Sequence, residues 1–285
     1  MATTAFLMLM QAVGVPLASR TADVAALAAI LVTGLPHGAL DLLEHRADPR
    51  IAEGRWKVLG VYLALGALMG TAWYVSPAAA LAIFLGVAVI HFAADADPET
   101  PLPMRLCRAG LLVALPCATH PALVAAVFAG LAADVHAGSN LTTLAGDLAW
   151  PLLAALGIAA ALWPIRLRAA TEMATIMVAL ALLPPLPAFA VFFGLIHSPR
   201  HFAATAATLG FDLGKAALLA VPATLIAIAF GLVLSVVLFA RVDRTPLAST
   251  TAFMLLSIVT VPHMFTGPLL RWLSAGRERA IVRWG

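Results

Sequence analysis

The chain has 285 residues, of which 62% are hydrophobic and only 11% charged. Soluble domains carry about 25% charged residues, so most of this chain cannot face water. The formal charge of +3 is carried by short basic clusters between apolar runs, a pattern of membrane topology determinants that excludes a nucleic-acid-binding surface.

Apolar segments follow one another at 4–19, 22–44, 57–75, 77–96, 105–132, 147–165, 171–184, 188–208, 215–240 and 248–270. About 20 apolar residues are needed to cross the hydrocarbon. The fold class predicted is therefore all-α: a polytopic integral membrane helix bundle of about 8–10 transmembrane helices, with residues 1–285 forming a single domain. The first segment has the length of a signal peptide but lacks a basic start, and reads as a short helix. Polar connectors are expected at 45–57, 97–103, 136–147 and 241–246, with a further turn at Arg166 and Arg168. Pro116 and Pro121 predict a kink or break in 105–132, and the run Leu183-Pro184-Pro185-Leu186-Pro187 predicts another. Cys107 and Cys117 share one apolar region and read as reduced bystanders.

Charge orients these segments. Arg46, Arg50, Arg55 and Lys57 place the 45–57 connector in the cytoplasm, whereas 136–147 has no Lys or Arg. The tail carries Arg271, Arg277, Arg279 and Arg283 and also belongs inside. All three are satisfied only if the proline run separates two spans, at the cost of leaving Arg241 and Arg244 outside.

Five of the eight histidines lie in apolar segments: His37, His91, His197, His201 and His263. Ionisable residues at membrane depth are costly and are functional candidates by default. His45, His120 and His136 lie at helix ends or in a connector and read as interfacial. His197 and His201 are four apart, on one helical face if Pro199 leaves the turn intact, a spacing that suits two imidazoles on one metal. His37 is followed four residues later by Asp41, and His91 by Asp95. Such a carboxylate can accept the ring N–H that does not bind metal, fixing tautomer and orientation. His263 has no such partner in sequence and is expected beside the site. With the proline run separating two spans, all five fall about 10 Å or somewhat more below the cytoplasmic surface at about 1.5 Å per residue.

An all-imidazole shell suits Zn, Cu, Fe or Ni. Four neutral histidines leave open positions in an octahedral shell, which suits Fe(II) and O2 without excluding zinc. The H-E-x-x-H of zinc proteases is absent, and one H-x-x-x-H without an H-H pair differs from the boxes of di-iron desaturases. Phe84, Phe92, Phe189, Phe192, Phe193, Phe202, Met264 and Phe265 lie close in sequence to these histidines and would wall a lipophilic substrate.

The combination P-H-G-x-x-D at 36–41, H-F-x-x-D at 91–95, H-x-x-x-H-F at 197–202 and P-H-M at 262–264 resembles the Brp/Blh family of β-carotene 15,15′-dioxygenases. The likeness runs from Gly34 to about Phe265; one departure is HFAAD, where glycine is expected after Phe92. It implies a non-haem Fe(II) enzyme of the cell's inner (plasma) membrane that uses O2 to cleave β-carotene centrally into two retinals. His37, His91, His197 and His201 would be both catalytic and metal-binding. Asp41, Asp95 and His263 would support them, and Phe92, Phe189, Phe192, Phe193, Phe202, Met264 and Phe265 would hold the carotenoid.

Other classes fit less well. A retinal-binding protein needs a lysine within a helix, but Lys57 and Lys215 sit at helix ends. A transporter could use the aspartates and histidines, but transporters often show repeat symmetry and none is seen. A bis-histidine haem protein would be told apart by its Soret band.

Overall fold

The computed structural model describes residues 19–48, 54–97, 99–164, 166–239 and 247–284. Among them every regular element is a helix. The first apolar segment, 4–19, lies almost wholly outside the described residues, as does the 241–246 connector.

Helix α1 (Arg20–Gly38) starts where Ser19 accepts a hydrogen bond from Ala22 N, with Asp23 in the first turn, a favourable cap and charge for a helix N-terminus. Its last turn contains Pro36, and the chain bends through Ala39 and Leu40 into α2 (Asp41–Ala47). Helix α3 (Arg55–Val75) runs back, and Pro77 at the first position of α4 (Pro77–Ala94) restarts the helix after Ser76. The prolines of the next predicted segment break it as expected: α5 (Leu102–Thr119) ends at His120 and α6 (Pro121–Ala132) begins at Pro121.

The predicted connector at 136–147 is instead helical. Ala133 turns left-handed at φ 52°, Asp134 accepts from Ala137 N at 3.0 Å, and α7 (Val135–Asp147) leads through Leu148 into α8 (Ala149–Leu162). Its polar composition marked a connector, but the Asp134 cap and close packing on α6 fold it. Gly138 allows that packing, since a Cβ there would lie 2.3 Å from Ala129 N.

After α9 (Leu167–Leu182), Leu183 is extended ahead of Pro184, as a residue before proline prefers, and α10 (Pro185–Phe192) begins. A π-helical turn (Phe193–His197) then joins α10 to α11 (Ser198–Thr208). Pro199 is the cause: it has no N–H for the carbonyl of Leu195, and its ring would collide with that carbonyl in a regular helix. Two long helices close the bundle, α12 (Leu213–Phe239) and α13 (Leu247–Trp284).

Seven helices among the described residues are long and apolar enough to cross a membrane: Arg20–His45, Trp56–Val75, Pro77–Ala94, Leu102–Thr119, Val135–Leu162, Leu213–Leu234 and Ser249–Ala275. The segments predicted at 171–184 and 188–208 are shorter helices packed between them. The chain is a polytopic all-α bundle, a multi-pass membrane protein.

Helix α1 packs against α10, α11, α12 and α13, and α4 packs against α3, α5, α6 and α13. These two helices carry His37 and His91 into the middle. Lipid is as apolar as leucine, so close packing and polar contacts have to hold such helices together. At the α3–α13 contact, Trp73 Nε1 donates to Ser257 Oγ at 2.6 Å, fully buried. The outward side chains of α12, including Leu218, Leu225, Ile226 and Val236, are exposed and apolar, as a lipid-facing surface requires.

Candidate metal centre

Five histidines from four stretches of chain meet in one cluster. His37 comes from α1, His91 from α4, His197 and His201 from either side of the π-turn junction, and His263 from the middle of α13. Ring centroids lie 4.8 Å apart for His91 and His197, 5.1 Å for His37 and His263, and 5.0 Å for His201 and His263. His263 is therefore as central as the other four, which its lack of a sequence partner concealed.

The rings are held in a repeated way. His37 Nδ1 donates to the carbonyl of Gly34, one turn back in its own helix. His263 Nδ1 donates to Asp41 Oδ2 at 2.7 Å, His201 Nδ1 to Asp95 Oδ1 at 2.9 Å, and His197 Nδ1 to Asp95 Oδ2 at 3.1 Å. In all four, the Nδ1–H is engaged by an oxygen, which leaves Nε2 as the basic nitrogen. That is the usual arrangement around a metal, where an outer acceptor fixes ring tautomer and direction.

The expected pairing of each aspartate with the histidine four residues earlier is not the one that forms. Helix α1 ends at Gly38, and Asp41 opens a new helix; Asp95 still closes the last turn of α4, with its N–H donating to the His91 carbonyl at 3.0 Å, but its side chain is drawn to other rings. Each carboxylate reaches across to histidines of another helix instead. Asp95 holds both members of the H-x-x-x-H pair, and Asp41 holds His263.

Donor geometry fits a metal ion. His91 Nε2 and His197 Nε2 lie 3.0 Å apart. Two nitrogens at right angles on one metal, each bound at about 2.1 Å, are separated by about 3.0 Å. Donor atoms of His37, His91 and His263 all lie within 4.8 Å of one another, as do those of Asp41, His201 and His263. His37 Nε2 is buried without a hydrogen-bond partner among the described residues. A buried lone pair without a partner is costly, and a metal ion would satisfy it.

Two cavities flank the cluster and share His91. One is an apolar cleft walled by Phe84, Phe92, Phe128, Phe189, Phe193 and Phe253, with leucines, valines, Pro116 and Pro185 between them. The other is a polar chamber reaching Asp41, Asp95, His201 and His263.

Of the residues expected to hold a lipophilic substrate, Phe92, Phe189 and Phe193 line the cleft, and Phe192 stands behind them, edge-on to Phe92 at 5.0 Å. Phe202, Met264 and Phe265 are elsewhere. Phe202 packs on Leu40 and Ala216 in a separate small cluster, Met264 faces the polar chamber, and Phe265 is 37% exposed. Adjacency to a histidine does not bring them to the cleft, because neighbours on a helix point about 100° apart. Phe128 and Phe253 went unnoticed since they lie far from any motif. His45, expected at an interface, is buried at the chamber.

The bundle and its histidine–carboxylate cluster define a polytopic membrane protein with a core whose donor groups could hold a metal ion. The family model for beta-carotene 15,15′-dioxygenase matches residues 28–271, and the chain belongs to that family. The beta-carotene 15,15′-dioxygenase of uncultured marine bacterium 66A03 is 28% identical, covering 85% of this chain and 91% of the relative. The Halobacterium salinarum protein named probable beta-carotene 15,15′-dioxygenase Blh is 29% identical, covering 83% of this chain and 81% of its own. No solved structure matches the chain.

Proposed function

We propose that this chain is a membrane-embedded non-haem iron oxygenase that cleaves β-carotene at its central double bond with O2, giving two molecules of all-trans-retinal. It would sit in the cell's inner (plasma) membrane. The observation that carries this reading is His91, whose ring belongs to the histidine cluster and also lines the aromatic cleft. A ligand in that cleft would lie directly against the metal-binding rings.

His37, His91, His197 and His201 would hold the iron, with His263 as a fifth donor. When bound, the iron would supply O2 activation. The chain's own residues do the rest. Asp95 fixes two rings at once, Asp41 fixes a third, and the Gly34 carbonyl fixes a fourth. The phenylalanine walls position a polyene by shape alone, since it has no polar handle, and they exclude water from the reacting bond. The reaction breaks one C=C bond and forms two C=O bonds from one O2, with no net proton or added electron. Asp41 and Asp95 therefore orient rings and carry no proton.

The test is expression of the full chain in bacteria that accumulate β-carotene, with retinal measured by chromatography and metal measured on the purified protein. Loss of orange colour with retinal formation, and iron bound, is the expected result. His197→Ala should lose both iron and retinal; full activity with iron retained would falsify its role as a ligand.

A further inference from the structure

The polar chamber borders the histidine cluster, but the proposed reaction needs no further polar space, since it neither consumes nor releases water or protons. It is strongly acidic: among the described residues Asp41, Glu44, Asp48 and Asp95 line it against one arginine, Arg271, which pairs with Asp48 at 3.0 Å. Two of its lining groups have buried polar atoms without a hydrogen-bond partner among the described residues, Asp41 Oδ1 and His45 Nε2. His45 is also held in place. Its ring packs so closely on Gly267 of α13 that a Cβ there would lie 3.0 Å from Cε1.

A metal ion reaches the protein hydrated and doubly charged. The aromatic cleft offers such an ion nothing to replace its water, and an unpaired charge in apolar surroundings is prohibitively costly. The chamber offers carboxylates and an imidazole, and it opens directly onto His91, His201 and His263. An acidic concavity also raises the local concentration of cations and speeds their capture.

We propose that the chamber is the loading route for the divalent metal, and that Glu44 and His45 form a transient cation site where the ion exchanges water for protein ligands before reaching the histidines. This rests on the reading of the histidine cluster as a metal centre. The two cavities would then divide the traffic, with the ion arriving from the polar side and the polyene from the apolar side.

The test uses the full chain in lipid nanodiscs, stripped of metal with a chelator and mixed rapidly with Co(II), whose visible absorption reports imidazole ligation. The double variant Glu44→Gln/His45→Gln should take up Co(II) about tenfold more slowly than the parent, within the range of electrostatic steering. Its final Co(II) content and spectrum should match the parent's, and its uptake should depend less on salt. Each single variant, which perturbs folding less, should show part of the slowing. Glu99→Gln, at an exposed ion pair with Arg166 away from the chamber, should take up Co(II) at the parent rate. Uptake within twofold of the parent in the double variant overturns the route. So does loss of final Co(II) content in a variant with parental helical circular dichroism, which would make these residues permanent ligands. A parent chain that takes up no Co(II), Fe(II) or Zn(II) at all would instead remove the metal reading itself.

Discussion

Asp41, the first residue of α2, accepts a hydrogen bond from His263 of α13 at 2.7 Å, joining positions 222 residues apart in sequence. The pair is buried, with Asp41 only 1% exposed. It ties the last long helix to the start of α2 beside the clustered histidine rings. A neutral amide at position 41 can still accept this hydrogen bond but does not make the imidazole more basic. Asp41→Asn should therefore fold normally and lose about 10–100-fold in metal affinity, the usual range for an outer carboxylate. Retention of metal against a graded chelator challenge measures this. An unchanged affinity would mean that His263 does not contribute to holding the ion.

Asp95 should matter more, because one carboxylate holds two rings, His197 at 3.1 Å and His201 at 2.9 Å. Replacement by alanine frees both at once. Asp95→Ala should weaken metal binding well beyond the loss in Asp41→Asn and broaden the spectrum of the Co(II)-loaded protein. Asp95→Asn should keep the hydrogen bond to one ring and fall between. Equal affinities for Asp41→Asn and Asp95→Ala would show that the two-ring clamp adds nothing.

Sequence spacing identified the five membrane histidines and both aspartates, and the structure brings all seven together. It failed on how they pair. The i,i+4 rule assumes a continuous helix, which the turn before Asp41 breaks; Asp95 does close the last turn of α4, and only tertiary packing sets its carboxylate against His197 and His201. Pro199 is visible in the sequence as a distortion, but the form it takes, a π turn over Phe193–His197 just before the pair that meets Asp95, is not. The proline breaks at 119–121 and 183–185 were legible because proline acts locally. The helix at Val135–Asp147 was not, because its stability comes from contact with α6 and from the Asp134 cap. The cleft walls were half legible. Phe92, Phe189 and Phe193 sit next to motifs, but Phe128 and Phe253 arrive from α6 and α13 only through tertiary packing.

The cleft can be tested apart from the metal. Ala88 is buried on its wall, one turn before His91 on α4. Ala88→Phe should push a ring into the space assigned to the polyene while leaving the ligand shell intact. The expected result is at least a tenfold drop in retinal formation at unchanged iron content. Chromatography of cell extracts and metal analysis of the same preparation supply the two readings. If retinal formation is normal, the substrate does not occupy this cleft.

Gly138 separates a purely structural requirement from the site. A methyl group there would meet backbone of α6, 2.3 Å from Ala129 N and 2.6 Å from Ala129 Cα, and neither atom can swing aside as a side chain could. The α6–α7 hairpin would have to open. Overpacking typically costs about 1–3 kcal/mol, and a clash against backbone belongs at the upper end. Gly138→Ala should lower the midpoint of thermal unfolding in detergent and reduce the yield of folded protein. Gly34→Ala, by contrast, would place its Cβ 2.5 Å from Phe193 Cε1, a side-chain atom on the cleft wall that can turn away. Its expected signature is a smaller loss of stability together with a change in retinal formation. The folded fraction of Gly138→Ala, though small, should bind metal with parental affinity, because α6 and α7 contribute no histidine to the cluster. A weakened metal affinity in that fraction would mean that the hairpin braces the site from a distance.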